Sequence, residues 1–232
     1  MQNIVIIGGT SGLGKAMACE FLNRKHKVLI VGRNIERINQ EITCVTCVTC
    51  VKSIACDISN RQSIEYLEDY TKTYFGDNKI DHWINSAAIC EGPTKFIDLS
   101  LDDIQNIIST NLLGSLYGTK IAVNLNVKNI YNISGHGSNG FATPDFSLYG
   151  ASKAGLQQFI NTLKKENINI HTIAPGIMKT QLTNKMLNYD NKNNNKNNKI
   201  LNFLAKDPEE VAKIIVPKIL KNKYYKNTKF SI

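Results

Sequence analysis

Short apolar runs rich in Val and Ile alternate along the chain with longer segments whose apolar positions recur at helical spacing. A strand buried on both faces reads as a near-continuous apolar run, so this alternation points to a parallel sheet sandwiched between helices, an α/β layering. Strands are predicted at Asn3 to Ile7, Lys27 to Val31, Lys52 to Cys56, Ile80 to Asn85, Asn129 to Ser134, Asn169 to Ala174 and, more weakly, Thr228 to Ser231. Helices are predicted at Gly12 to Arg24, Ile35 to Ile42, Arg61 to Phe75, Leu101 to Asn124, Leu148 to Asn167 and Pro208 to Leu220. The last begins with Asp207 as a cap and proline at the first helical position, where the missing N–H costs nothing. Crossovers of this length suit right-handed βαβ units.

Two segments break the rhythm. Residues 43–51 (Thr43-Cys-Val-Thr-Cys-Val-Thr-Cys-Val51) form a three-residue repeat, and residues 188–199 are an Asn-rich, polar, low-complexity run. Both read as loops, because neither carries enough apolar surface to fold by itself. The evenly spaced thiols Cys44, Cys47 and Cys50 could serve zinc, but a structural zinc site wants paired ligands and a fourth donor that is not evident nearby, so no metal is expected.

At 232 residues and 42% hydrophobic, the chain can bury one core, and a single domain over 1–232 is expected. The first residues run directly into an apolar strand with no basic leader, and no run is long enough to span a bilayer, so a soluble, cytoplasmic protein without membrane contact is the expectation. The six cysteines are then expected to stay reduced. The formal charge of +9 raises the question of nucleic acid. The lysines, however, are dispersed through the Asn-rich run and the C-terminal end, with no DNA-reading helix or aromatic-interleaved pattern, so no nucleic-acid partner is expected.

After the first strand comes Gly8-Gly9-Thr10-Ser11-Gly12-Leu13-Gly14, opening a helix. Glycines let the backbone turn sharply and allow a pyrophosphate to approach main-chain N–H groups, while the helix N-terminus supplies partial positive charge. Placed between strand and helix, the loop implies a dinucleotide and a Rossmann-type, doubly wound sheet of about seven strands. About twenty residues on, where a carboxylate would hold the ribose 2′-hydroxyl of NAD, the second strand ends in Arg33-Asn34 instead. A planar guanidinium suits a 2′-phosphate, with Lys15 as a possible helper, so NADP(H) is preferred over NAD(H).

Tyr149-Gly-Ala-Ser-Lys153 places a phenol and an ammonium one helical turn apart on the same face. A free tyrosine titrates near ~10, too high for ready proton exchange at neutral pH, and a neighbouring cation is expected to lower that value.

These motifs, joined by Asn85-Ser-Ala-Ala88 after the fourth strand, Asn111 in Ser109-Thr-Asn111, and Pro175-Gly176 followed by Thr180, make the chain resemble the short-chain dehydrogenase/reductase family over nearly its whole length. The likeness narrows toward the chlorophyll b reductase-like branch through Ser109-Thr-Asn-Leu-Leu-Gly-Ser115, Gly137-Ser-Asn-Gly-Phe-Ala-Thr-Pro144, His171-Thr-Ile-Ala-Pro-Gly176, and Glu210-Val-Ala212 before Val216-Pro217.

The resemblance implies that Gly8, Thr10, Ser11, Gly12, Leu13 and Gly14 form the pyrophosphate turn, that Arg33 and Asn34 meet the ribose phosphate, and that Cys56, Asp57 and Ile58 flank the adenine. Asn85, Ala87 and Ser134 would line the cofactor groove, and Pro175, Gly176, Ile177 and Thr180 would pack around the nicotinamide carboxamide. Tyr149 would be the acid/base, Lys153 would bind the nicotinamide ribose while holding the Tyr149 pKa down, and Asn111 would organise a water in a proton relay. The carbonyl-polarising serine is ambiguous. The usual spacing before the tyrosine falls on His136, with Ser134 and Ser138 on either side, and Ser138 is favoured because the narrower branch keeps a Gly-Ser pair there. The implied activity is NADPH-dependent hydride transfer to or from a small-molecule carbonyl or alcohol, in a homodimer or homotetramer, with a nucleotide-binding sensor that has lost turnover as the alternative.

Overall fold

A computed structural model describes residues 1–34, 48–77, 79–187 and 205–222. Six strands, β1 (Asn3–Ile7), β2 (Lys27–Gly32), β3 (Val51–Ala55), β4 (His82–Asn85), β5 (Asn129–Ile133) and β6 (Ile170–Ile173), form one parallel sheet in the order β3-β2-β1-β4-β5-β6. The chain leaves β1 toward one edge and returns at β4 to build toward the other. The ends of these two neighbouring strands therefore open a crevice at the point where the winding reverses, which is where doubly wound sheets bind ligands. The predicted helix Ile35 to Ile42, the Asn-rich run 188–199 and the predicted seventh strand Thr228 to Ser231 lie outside the described residues.

Alternating side chains send each strand into two cores. Ile4, Ile6, Val28, Ile30, Ile84 and Ile173 pack with α1 (Gly12–Asn23) and α7 (Pro208–Leu220), through Met17, Phe21, Val211 and Ile215. Val5, Ile7, Leu29, Val31, Trp83 and Ile130 face the opposite way. They meet Leu67 and Phe75 of α2 (Arg61–Phe75), Ile121 of α4 (Gly114–Asn124), and Leu156 and Ile160 of α5 (Ser147–Lys165). Each fully buried aliphatic or aromatic side chain contributes about 1.5–3 kcal/mol, so these two layers hold the crevice residues on a rigid frame.

The predicted helix Leu101 to Asn124 is divided. α3 (Leu101–Ile108) starts at Ser100, whose hydroxyl accepts the Asp103 N–H at 3.1 Å while the Asp103 carboxylate accepts the Ser100 N–H at 3.0 Å. It then passes through a π-helical stretch, Ser109–Leu113, before α4. A short helix absent from the sequence reading, α6 (Gln181–Leu187), follows β6. Its first turn is capped by Thr180, whose hydroxyl accepts the Thr183 N–H at 3.1 Å. A parallel bridge between Met178 and Lys206 ties this region to the start of α7.

The cysteines depart from expectation at one position: Cys50, in the turn Val48–Cys50 that leads into β3, is disulfide-bonded, whereas Cys19, Cys56 and Cys90 are not in disulfides. Val51, read as the end of the repeat loop, is the first residue of β3.

Candidate active site

A cleft of about 1570 Å³ runs along the carboxyl ends of the strands. Gly8, Thr10, Ser11, Gly12 and Leu13 form one wall. Gly8 has φ +77°, and a Cβ there would lie 2.5 Å from the Ala87 nitrogen, so the loops after β1 and β4 can meet only if that residue is glycine. Gly14 lies beneath the wall instead of lining it: a Cβ would sit 2.9 Å from the Gly8 carbonyl carbon, so α1 packs directly under the turn. Ser11 is the N-cap of α1 but makes no side-chain cap bond, and the first turn carries no acidic residue. The free N–H groups and the positive end of the dipole therefore face the cleft, a geometry that fits a pyrophosphate.

Beyond that wall, Arg33 and Asn34 line the cleft at the end of β2, with Cys56, Asp57 and Ile58 after β3. The Ser59 hydroxyl, donating to Asp57 Oδ1 at 2.7 Å, is the chief reason the Asp57 carboxyl stays below its usual range. Burial opposes this, and the Ser59 N–H and the Arg33 charge assist it. Lys15 adds a second cation to this end. Pro175, Gly176, Ile177 and Thr180 also line the cleft, with Thr180 beside the glycine turn, 3.4 Å from the position of a Gly12 Cβ. Phe141, Phe146, Leu182 and Met186 add apolar side chains to the lining, as do Cys90 and Pro93.

Tyr149 and Lys153 converge in the middle. Both are almost fully buried, the Lys153 ammonium donates to the Ile133 carbonyl at 3.1 Å, and it stands 5.7 Å from the centre of the Tyr149 ring. The electrostatics correct the expectation drawn from the sequence. Burial pushes the Tyr149 phenol well above its usual range, and the Cys90 and Glu91 side chains push it further in the same direction. Burial also lowers Lys153 to about 8. Burial, which disfavours the charged form of each group, is the leading cause of both shifts.

Ser134 and Ser138 both line the cleft, and their hydroxyls are hydrogen-bonded to one another at 2.7 Å. His136 is exposed, bonded to the Thr143 hydroxyl. Besides Gly14, two predicted site residues, Asn85 and Asn111, do not line the cleft. The Asn85 amide is buried, donating to Asn132 Oδ1 at 3.0 Å and the Thr119 hydroxyl at 3.1 Å while its carbonyl accepts from Trp83 Nε1 at 3.0 Å. It braces β4 against β5 and α4, and of the residues that follow it Ser86, Ala87 and Ala88 line the cleft. Asn111, in the π-helical stretch, accepts the Ile89 N–H and donates to the Ile89 carbonyl, each at 2.8 Å, and reaches the Ser152 hydroxyl at 3.2 Å. Its side chain clamps the segment after β4 to α5, and its carbonyl accepts the Ser115 hydroxyl at 2.9 Å.

The family profile of the short chain dehydrogenases matches residues 2–191. The chain belongs to the short-chain dehydrogenase/reductase family. It is 31% identical, over 94% of its length, to the Arabidopsis thaliana protein named "Probable chlorophyll(ide) b reductase NYC1, chloroplastic", of which it covers 48%. The chain therefore spans about half the length of that relative. It is also 31% identical to carbonyl reductase family member 4 of Xenopus laevis, covering 91% of this chain and 88% of the other. A third relative, the NADP-dependent 3-hydroxy acid dehydrogenase of Schizosaccharomyces pombe, is 28% identical over 93% of this chain and 85% of its own.

Within this short-chain dehydrogenase/reductase site, two residues escaped the sequence reading. Gly135 lies against the tip of the Tyr149 side chain, and a Cβ there would overlap the phenol oxygen and come within 3.1 Å of Lys153 Cε. Glu91 approaches the start of α5 from the loop after β4. No spacing rule flags either, because each meets Tyr149 only through the fold.

Proposed function

We propose that the protein is an NADPH-dependent reductase of carbonyl compounds, or the corresponding alcohol dehydrogenase in reverse, with Tyr149 as the proton donor. The observation that carries this reading is a buried phenol and a buried ammonium converging on Gly135 inside a cleft that starts at a glycine-lined helix N-terminus.

Gly8, Ser11 and Gly12 with the α1 N-terminus would hold the pyrophosphate, Arg33 and Lys15 the 2′-phosphate, and Lys153 the nicotinamide ribose. The name of the fission-yeast relative agrees with NADP as the partner. The cofactor would supply hydride at its nicotinamide carbon, chemistry that belongs to it and not to the protein. The chain's own work is placement and proton supply. Ser138 would donate to the substrate oxygen, with Ser134 fixing the direction of its hydroxyl through the 2.7 Å bond between them. Tyr149, kept protonated by burial, would deliver its proton to that oxygen as negative charge develops there. Phe141, Phe146, Leu182 and Met186 in the cleft lining favour an apolar substrate.

The test is NADPH oxidation across a panel of aromatic and aliphatic aldehydes and ketones. Turnover with NADPH supports the reading; tight NADPH binding with no turnover on any panel member would replace it with a nucleotide-binding sensor.

A further inference from the structure

The loop after β5 folds into two consecutive turns beside the reacting groups. The Ser138 N–H donates to the Gly135 carbonyl at 3.1 Å, and the Gly140 N–H donates to the Gly137 carbonyl at 3.0 Å. Glycine contacts press this loop onto α5 on both sides of His136. A Cβ on Gly135 would overlap the Tyr149 hydroxyl oxygen, and one on Gly137 (φ +84°) would lie 2.7 Å from the Gly150 Cα. The His136 backbone is therefore set directly beside the turn of α5 that carries the phenol. Its imidazole bonds through Nε2 to the Thr143 hydroxyl and makes T-shaped contacts with two phenylalanines, the ring centres lying 6.1 Å from Phe141 and 6.5 Å from Phe146. A further bond, from the Phe141 N–H to Asn139 Oδ1 at 3.1 Å, fixes the backbone that carries the outer ring.

All three rings line the cleft, and Phe141 is 66% exposed. Apolar side chains scattered singly over a surface need no explanation, but these rings touch through His136 and share the cleft with Ser138 and Tyr149. We propose that His136, Phe141 and Phe146 form an aromatic subsite for a planar ring carried by the substrate, so that the substrate class is aryl aldehydes and ketones in preference to aliphatic ones. The inference deepens the reductase reading and rests on Ser138 and Tyr149 engaging the carbonyl oxygen. Ser138 lies between His136 and Phe141 in the chain, and Phe146 is the residue from which α5 starts toward Tyr149. An aryl carbonyl carries its ring one bond from the reacting carbon, so a carbonyl held by Ser138 and Tyr149 brings that ring to these side chains.

Aromatic rings attract one another in offset or edge-to-face arrangements beyond what their buried area supplies, and a saturated ring of the same size forfeits that part. Benzaldehyde and cyclohexanecarbaldehyde are therefore a matched pair of substrates. Their ratio of kcat/KM with NADPH is measured in the unsubstituted protein, in Phe141→Leu and in Phe141→Leu/Phe146→Leu. Leucine keeps apolar bulk and removes the ring, and comparing ratios between proteins cancels the unequal intrinsic reactivity of the two aldehydes. A second readout needs no turnover. Benzamide and cyclohexanecarboxamide, which carry a carbonyl but do not accept hydride, are titrated into NADPH-saturated protein bearing ring-labelled phenylalanine, with Phe141→Leu and Phe146→Leu identifying the two NMR resonances.

The aryl-to-cyclohexyl ratio is expected to fall by about 2- to 10-fold in Phe141→Leu, the worth of one ring pair, and further in the double variant. Both phenylalanine resonances are expected to shift with benzamide and to move much less with cyclohexanecarboxamide. Equal losses on the two aldehydes, or an unmoved ratio, would reduce the rings to apolar lining and overturn the proposal. Resonances that respond alike to the two amides, or to neither, would do the same. Failure of the reductase reading looks different: neither aldehyde is reduced, while the resonances still single out benzamide and the subsite stands as a ring-binding site.

Discussion

The hydroxyl oxygens of Ser134 and Ser138 lie 2.7 Å apart at the cleft, so the two candidates for polarising a substrate carbonyl form one hydrogen-bonded unit. Ser134 is held at the end of β5, its N–H donating to the Ile173 carbonyl at 2.7 Å, and Ser138 stands in the turn beyond, its N–H donating to the Gly135 carbonyl at 3.1 Å. Under the proposed function Ser138 makes the substrate contact and Ser134 orients it. Ser138→Ala is therefore expected to lower kcat by about 10²–10³ with NADPH affinity unchanged, and Ser134→Ala by less. Steady-state kinetics on one aldehyde substrate check this, and the reverse ranking would give the polarising role to Ser134.

Gly135 leaves the space that the Tyr149 hydroxyl occupies. Gly135→Ala is expected to displace the phenol and reduce kcat by about a hundredfold, the scale of a 1 Å misplacement at a reacting group. Gly150→Ala is the control, since no heavy atom lies within 4 Å of the added Cβ. Within α5 it is expected to raise Tm slightly, alanine being favoured over glycine in a helix by about 0.8–1.0 kcal/mol. Equal damage from the two substitutions would contradict the close approach.

Arg33 is an exposed cation lining the cleft at the end of β2, and its charge reaches Asp57. Loss of a charge-assisted contact is worth about 1.5–3 kcal/mol, so Arg33→Ala is expected to weaken NADPH binding about 10- to 100-fold and to leave NADH nearly unaffected. Fluorescence titration with both nucleotides measures the ratio. Equal losses would remove the proposed phosphate contact.

The sheet carries a pH liability away from the cleft. His82 and His171 are buried in β4 and β6 on either side of the Tyr131 ring, and burial lowers them to about 3 and about 4 from an ordinary 6.5, with nearby cations adding to the effect. Both are neutral in the fold and protonate first in the unfolded chain. Their contribution is complete above pH 6.5 and is lost as pH falls toward 4, a tenfold difference in proton affinity being worth about 1.4 kcal/mol. Urea midpoints at pH 7 and pH 5 are expected to show the loss, with a shallower fall in His82→Leu. An identical slope in that variant would place the acid sensitivity elsewhere.

Periodicity and end signals made most of the scaffold readable. Arg61–Phe75 and Pro208–Leu220 match the predicted helices residue for residue, and β1 does the same, because Asn60, Pro208 and the apolar run Ile4-Val-Ile-Ile7 carry local physical signals. The π-helical stretch at Ser109–Leu113 was not readable, since the apolar period continues through it and only the backbone hydrogen bonds change. α6 was missed because seven mostly polar residues capped by Thr180 look like loop in sequence. In the site, the glycine turn and the Tyr149 and Lys153 pair were legible from spacing. The buried network that claims Asn85, the clamp made by Asn111, the contact of Gly135 with Tyr149 and the reach of Glu91 are all products of long-range packing. The direction of the Tyr149 shift escaped for the same reason, because burial is not written in a four-residue motif.

The most direct measurement is carbonyl reduction by Tyr149→Phe alongside a fluorescence titration of its NADPH binding. The account predicts a fall in kcat of about 10²–10⁴, the contribution of a positioned acid, with nucleotide affinity within twofold or so of the unsubstituted protein. Turnover preserved in Tyr149→Phe would show that the proton comes from another group and would contradict the account.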